Sequence, residues 1–560
     1  MYTQNFDPVS DSLGLSSIFA VLPVLVLFIL LGGLRMAAHW AALIALGVAM
    51  LVAMIVYGMP VDQTALSATE GAAFGLFPIV WIVVTAIWIY NMTVETGHFA
   101  VLRRSFGTIS TDQRVQAVII AFCFGALLEA LAGFGTPVAI TSVMLIALGF
   151  RPIKAATVAL VANTAPVAFG AIAIPIVTLA DITGLPKEDL GAMVGRQTPF
   201  LALVVPLVLM GMVDGARGIR QAWPAAAVGG LVFAVAQYLT SNFISVELTD
   251  IVASLLSTGA IVLLLQVWEP SEPLVGEADE GGFQKPAVAG AEASDPAMEE
   301  EVRRRDDTVK DTPGDVVRAY SPYLIVIAVL AIAQIPAIKD TLAESPWTTT
   351  FQWPGLDVVT PDGEPLTSLT YNVNWLPAAG TLLLISGLLT IVVLKVSPGR
   401  SIRVFGASVN QLKWAILTVA SVLALAYVMN QSGQTITLGL WAAGAGSAFA
   451  FLSAMIGWLG VAVTGSDTSS NALFGALQVT AAKDAGISPT LLAAANSSGG
   501  VLGKMISPQN LAIGAAAVGM AGQEGDLFRK VLGWSIALML IMCVLVYLQS
   551  TDILGWMVVK

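Results

Sequence analysis

Stretches of about 20 mostly apolar residues recur along this 560-residue chain, and each is long enough to cross roughly 30 Å of hydrocarbon. Backbone groups in lipid must find their hydrogen-bond partners within the segment. Only 11% of the residues are charged and mean hydropathy is +0.82, whereas a soluble chain carries roughly a quarter charged residues. The reading is an all-α polytopic membrane protein. Twelve full crossings are expected, at 15–34, 37–57, 71–92, 154–180, 194–213, 222–240, 250–268, 319–337, 373–395, 409–429, 489–518 and 530–550. Cys123 and Cys543 both lie in apolar runs and supply neither a disulfide framework nor a metal set. The N-terminal MYTQNFDPVSDS has no signal-peptide pattern.

The net charge of −11 is concentrated in one place. Residues 269–318 hold 14 acidic and 6 basic residues, amid Pro and Gly, and read as an acidic, disordered linker. It divides a transmembrane half at 1–268 from another at 319–560. Acidity of this kind does not favour nucleic acid as a partner.

Basic residues collect in cytoplasmic loops. With the N-terminus outside, 20 of the 26 Lys and Arg become cytoplasmic, including Arg103, Arg104, Arg114, Arg151, Lys154, Arg217 and Arg529. Lys187, Lys339, Lys483 and Lys560 stay outside, with both termini periplasmic. Two apolar stretches, 115–150 and 436–484, are interrupted by AGFGTP (132–137) and TGSDTSS (464–470). The first is flanked by basic residues on both sides, so it should enter and leave from the cytoplasm. A helical limb of about 14–16 residues would rise about 21–24 Å and turn inside the bilayer. The second should enter and return from outside. Two oppositely oriented re-entrant helical hairpins make an inverted-repeat arrangement. Echoes agree: Gly133 and Thr136 match Gly465 and Thr468, and in VANTAPVAFGAIAIP (161–175) and AANSSGGVLGKMISP (494–508) an Asn is followed by Gly at +7 and Pro at +12. Inverted repeats with interrupted helices are the architecture of secondary transporters.

Chemistry is expected at the interruptions. Asp467 and Glu129 are the acidic residues within the hairpins and are candidates to carry a coupling proton, since a carboxyl in hydrocarbon without a partner tends to keep its proton. Asp467 could instead cap the limb 468–482, and Glu129 could belong to a structural ion pair. Lys504, mid-span in SGGVLGKMISPQN, needs a carboxylate, from the substrate or from Asp467. Asn163 and Asn496 offer amides to a small hydroxylated anion, or satisfy breaks in their own helices. Ser466, Thr468, Ser469 and Asn471 can hydrogen-bond a substrate, and Gly133, Gly135 and Thr136 allow a tight turn whose helix-start NH groups face an anion. Arg196 is either a substrate contact or a side chain reaching the membrane edge. No nucleotide, metal or cofactor motif appears, so no enzyme chemistry is indicated and transport would run on gradients.

HFAVLRRSFGTISTDQRVQAVIIAFCFGALLEALAGFGTPVAITSVMLIALGF (98–150), VALVANTAPVAFGAIAIPIVTLA (158–180) and VTGSDTSSNALFGALQVTAAKDAGISPTLLAAANSSGGVLGKMISPQNLAIG (463–514) resemble the L-lactate permease family of bacterial inner-membrane carriers. The likeness runs through nearly the whole chain, apart from the linker and the segment 338–372. It implies uptake of a small 2-hydroxy monocarboxylate, L-lactate with D-lactate or glycolate, by proton symport. A carrier of another small monocarboxylate with a different coupling ion, an uncoupled channel, a receptor and a membrane enzyme are the alternatives that the residue pattern leaves open. The oligomeric state is not legible.

Overall fold

The computed structural model describes residues 1–559 apart from 35, 108, 132, 134, 275–310, 334, 362, 364, 367–368 and 521–522. Most of the acidic linker therefore lies outside the described residues. Leu13–Leu31 (α1), Ala38–Ile55 (α2), Val61–Glu95 (α3) and His98–Gly107 (α4) open the chain. Gln113–Leu131 (α5) and Thr136–Ala147 (α6) come next, then Pro152–Ala162 (α7) and Gly170–Thr183 (α8). Lys187–Val194 (α9), Thr198–Phe243 (α10) and Thr249–Leu264 (α11) complete the first half. The second half begins with Pro313–Ala333 (α12), Ala379–Val393 (α13) and Pro398–Ser432 (α14). Gln434–Ala443 (α15), Phe449–Thr464 (α16) and Asp467–Asp484 (α17) follow. Pro489–Gly503 (α18), Pro508–Ala517 (α19) and Glu524–Gln549 (α20) end it.

Helix starts follow the sequence. Proline occupies the first turn of α6, α7, α18 and α19, where its missing NH costs nothing. Ser466, Ser488 and Ser507 accept a backbone NH as caps of α17, α18 and α19.

Nine of the described helices are long and apolar enough to cross a membrane, or ten if the α7–α8 pair, bent by 67°, is one span. Twelve were expected. The segments expected at 194–213 and 222–240 are separate helices that count as one in that total: α10 is kinked at Asp214 and Gly215 and folds back on itself, so that Gly230 packs against Ala202 O and the Thr198 hydroxyl donates to Gln237 Oε1 at 3.1 Å. The segments expected at 250–268 and 373–395 form helices of 16 and 15 residues, and 489–518 is divided by a 3-10 turn at Lys504–Ile506. Conversely, Gln113–Leu131 and Gly446–Thr464 run to 19 residues each, longer than the limbs expected there.

A small β cap joins distant parts of the chain. Tyr2–Thr3 (β1) pairs in parallel with Val358–Val359 (β3), and Thr349–Gln352 (β2) pairs antiparallel with Thr370–Val373 (β4). The Tyr2 hydroxyl donates to Ser432 O at 2.9 Å, and Gln4 Nε2 donates to Asn430 O at 2.9 Å. The N-terminus, the β cap and the end of α14 therefore share one end of the molecule. At the start of α14, about 50 Å away along the helix, Arg400 is paired with Glu95. Gln113 Nε2 donates to Leu148 O at 3.3 Å, which holds the start of α5 beside the end of α6. Arg114, wholly buried, pairs with Asp112 and with Asp214 at the break in α10. Gly439 on α15 packs directly against Thr480 on α17, so the two ends of the second interrupted stretch are also neighbours.

The closest helix packing joins α16 to α18. A Cβ added at Gly457 would sit 1.9 Å from Asn496 O, one at Gly499 2.1 Å from Ala454 O, and one at Gly503 2.2 Å from Trp458 O. Small residues let the two backbones touch, which is how helices associate where lipid supplies no hydrophobic drive. Gly503→Ala therefore has to force the pair apart, and a loss of about 1–3 kcal/mol is expected. Thermal unfolding of the purified protein in detergent measures it; an unchanged melting temperature would show that the seam opens freely.

Candidate functional site

Both interrupted stretches turn through a glycine in the left-handed region, Gly135 at φ 80° and Gly465 at φ 76°, where a side chain would be strained. The two turns meet at one place. Gly135 lies against Asn510 and Ile513 of α19, while Gly465 backs onto Gln509 and its carbonyl accepts from Asn510 Nδ2 at 3.5 Å. Residues more than 300 positions apart thus converge on the start of a single helix.

Four residues before Gly133, Glu129 receives Lys504 Nζ on Oε1 at 2.5 Å and Asn163 Nδ2 on Oε2 at 2.9 Å. Both charged side chains are buried. An ammonium at this depth is held only by a counter-charge, and the partner is Glu129 rather than Asp467. The carboxylate fits because Gly170 is beside it: a Cβ there would lie 2.8 Å from Glu129 Oε1. Next to Gly170, the residues Ala171, Ile172 and Ala173 all have positive φ, 44°, 59° and 57°. A left-handed turn of non-glycine residues costs on the order of 1–3 kcal/mol per residue and concentrates at functional breaks.

Asp467 is the first residue of α17 and is buried. The cap of that helix is Ser466, whose hydroxyl accepts from Ser469 N at 3.3 Å, so Asp467 is not used for capping. Its Oδ2 accepts from the Ser497 hydroxyl at 2.6 Å, and Oδ1 has no hydrogen-bond partner among the described residues. Oδ1 presses on α18 at Gly500, one turn from Lys504. No cation sits directly against it, although Lys504 and Glu129 are within electrostatic reach.

The matched asparagines each hold the interrupted stretch of their own half. Asn163 donates to Glu129, and Asn496 Nδ2 donates to Asn471 Oδ1 at 2.9 Å while its Oδ1 accepts from Gln478 Nε2 at 3.1 Å. Asn471 Nδ2 in turn donates to Pro175 O on α8 at 3.1 Å. At the two turns the hydroxyls of Thr136, Thr468 and Ser469 make no side-chain hydrogen bond among the described residues; both threonines are half-buried. Arg196 is occupied elsewhere, donating to Asn242 Oδ1 and to Met557 O at 2.9 Å each. The expected residues thus gather at one locus, with Ser466 serving its helix start.

Ser497, Gln478 and Asn510 belong to this locus and are not apparent in the sequence reading. Ser497 adjoins the matched Asn496, which is the one local signal. Asp250, also unforeseen, is buried on α11 with Oδ1 accepting from Gln237 at 2.8 Å and Oδ2 without a hydrogen-bond partner among the described residues. The arrangement provides one ammonium, two carboxyls and two helix starts with free hydroxyls. That set can receive a small carboxylate and exchange a proton.

The family model described as L-lactate permease matches residues 16–552. L-lactate permease of Escherichia coli K12 is 42% identical over 568 residues, covering 100% of both chains, and that of Bacillus subtilis is 41% identical over 576 residues, again covering 100% of both. Glycolate permease GlcA of Escherichia coli K12 is 41% identical over 572 residues, covering 100% of this chain and 99% of its own. Among solved structures, Neisseria gonorrhoeae MtrF aligns at 16% identity with a TM-score of 0.45 over 88% of this chain and 84% of its own, too slight a likeness to carry the fold.

Removing one member of a buried ion pair leaves the other charge stranded. Lys504→Met and Glu129→Gln are each expected to cost about 3–5 kcal/mol, and the double variant is expected to recover much of that loss. Melting temperatures of the three purified variants check it. Additive losses in the double variant would show that the two side chains do not depend on one another.

Proposed function

The chain belongs to the L-lactate permease family, and on that premise we propose that it is a secondary transporter carrying L-lactate, with D-lactate or glycolate, across the bacterial inner membrane in symport with protons. The observation that carries the mechanism is the buried pair Lys504–Glu129. The one ammonium at the locus can be neutralised by Glu129 or by the substrate's carboxylate. A proton on Glu129 releases Lys504, and only then does a monocarboxylate find an unpaired cation. Proton and anion therefore bind together, and their joint movement is electroneutral.

The substrate carboxylate lies between Lys504 and the starts of α6 and α17, where backbone NH groups and the hydroxyls of Thr136, Thr468 and Ser469 are on offer. The 2-hydroxyl is met by Asn471, Asn496 or Asn163. Asp467, with no described cation against it, takes up and gives back a proton without breaking an ion pair, and relays it to Glu129, which meets α18 at Lys504, one turn from Gly500. Gly133 and Gly135 keep the first turn narrow enough for this approach.

The stretches 115–150 and 436–484 act as re-entrant hairpins opening to opposite sides, and the two halves 1–268 and 319–560 form an inverted repeat around the site, joined by a cytoplasmic linker at 269–318. Supporting this are the Gln113–Leu148 hydrogen bond, the packing of Gly439 on Thr480, the meeting of both turns at Asn510, and the parallel roles of Asn163 and Asn496. Both termini face the periplasm in this reading, which the distribution of Lys and Arg supports.

Lactate uptake into proteoliposomes under an imposed pH gradient tests this reading. Asp467→Asn and Glu129→Gln are expected to abolish gradient-driven accumulation while lactate counterflow survives in part, and Lys504→Met is expected to lose both. Intact coupling in both carboxyl variants would defeat the proposed proton route. Glycolate should compete with lactate and dicarboxylates should not. A cysteine placed at residue 5 is expected to react with an impermeant reagent in intact cells and one at residue 285 to stay protected; the reverse would invert the orientation.

A further inference from the structure

A second group of ionisable side chains lies away from this locus, at the end of the molecule that carries the N-terminus and the β cap. Asp181, in the last turn of α8, is exposed, and its Oδ2 accepts the Tyr427 hydroxyl of α14 at 2.5 Å. Glu70 of α3 and Tyr371 of β4 are within electrostatic reach of both. Those are the titratable groups facing Asp181, and no Lys or Arg among the described residues is paired with Asp181 or Glu70. Glu70 is buried and receives Gln431 Nε2 at 2.7 Å, while Gln431 Oε1 is buried with no hydrogen-bond partner among the described residues. Carboxyls and an orphaned amide oxygen with no cation between them form a place that accepts protons and repels anions.

This group is connected to Asp467 by geometry. Asn471 of α17 donates to Pro175 O of α8, and Gly475 packs on Leu179, so the two helices run side by side in register. Asp181 is six residues beyond Pro175, and Asp467 is four residues before Asn471. At 1.5 Å per residue the two carboxyls are about 15 Å apart along the seam. At a level between them, one turn below Asp181 on the face of α8 that flanks this seam, stands Thr178. Its hydroxyl is fully buried and has no hydrogen-bond partner among the described residues. A buried hydroxyl of this kind is the group on which a bridging water or a relayed proton would rest.

We propose that Asp181 is the outer station of the coupling-proton path and feeds Asp467 along the α8–α17 seam through Thr178, while the substrate anion reaches its site by a route that avoids this acidic mouth. The inference rests on the proton symport proposed above. A proton leaves hydronium for the Asp181 carboxylate, passes to Asp467 and then accompanies the substrate inward; no bond other than O–H is made or broken. Tyr427, by donating to Asp181, holds the station in its unloaded form.

The test is initial lactate uptake in proteoliposomes at neutral and acidic external pH, alongside counterflow at equal pH on both sides. Asp181→Asn is expected to slow gradient-driven uptake at neutral external pH by about tenfold or more, with recovery as the outside is acidified, whereas counterflow keeps most of its rate. Asp181→Glu is expected to restore uptake, and Thr178→Val to slow it in the same direction. If Asp181→Asn shows the unchanged rate and pH profile, or loses uptake and counterflow equally with a lowered melting temperature, the station role is overturned and Asp181 is a structural partner of Tyr427. Asp467→Asn separates the two levels. Loss of coupling there without any change in Asp181→Asn removes only this inference, while intact coupling in Asp467→Asn removes the proton route on which it rests.

Discussion

A lysine ammonium buried in the middle of a membrane protein constrains everything around it. Lys504 has to be met by an opposite charge, and Glu129, 375 residues earlier, is brought to 2.5 Å to do so. The pair holds the two halves of the chain together at the level of their interrupted helices. It also demands room for a carboxylate against bare backbone, which Gly170 supplies, and a second donor for the remaining oxygen, which Asn163 supplies. The left-handed turn at Ala171–Ala173 is tolerated because it faces this pair and is buried in protein.

Coupling follows from arithmetic of charge. One cation can neutralise one anion, so on the proposed reading the substrate competes with Glu129 for Lys504, and a proton on Glu129 decides the outcome. Asp467 differs from Glu129 in having a hydroxyl donor but no cation, and it lies against the same helix one turn away. Two carboxyls in unlike surroundings can therefore take different parts of one proton-transfer sequence. Rigid support for this exchange comes from the α16–α18 seam, where backbones touch at three glycines, and from the amide chain Asn471–Asn496–Gln478 that fixes α17 on α18.

Family-level likeness and physical reading rest on different things. The relatives, at 41–42% identity over full length, show the family. The distances carry the division of labour: Ser466 caps a helix, Arg196 anchors the C-terminal segment through Met557 O, and Lys504 answers to Glu129. The last two join residues hundreds of positions apart, and each assignment changes what a substitution at that position is expected to do.

Periodicity and charge placement by themselves determined that this chain is a polytopic membrane protein and that two apolar stretches are broken at AGFGTP and TGSDTSS. Those are local properties, fixed by hydrophobic length, proline and serine at helix starts, and glycine where φ must be positive. The matched positions Asn163 and Asn496 were legible for the same reason, as a spacing repeated in two halves. The tertiary structure alone decided which charges pair, because two candidate carboxyls of equal standing in the sequence differ only in what packs against them. It also decided that α18 and α19 are separate helices, and that Ser497, Gln478 and Asn510 belong to the buried polar network. Such contacts join residues tens to hundreds of positions apart, and no local pattern encodes the packing that sets their distances.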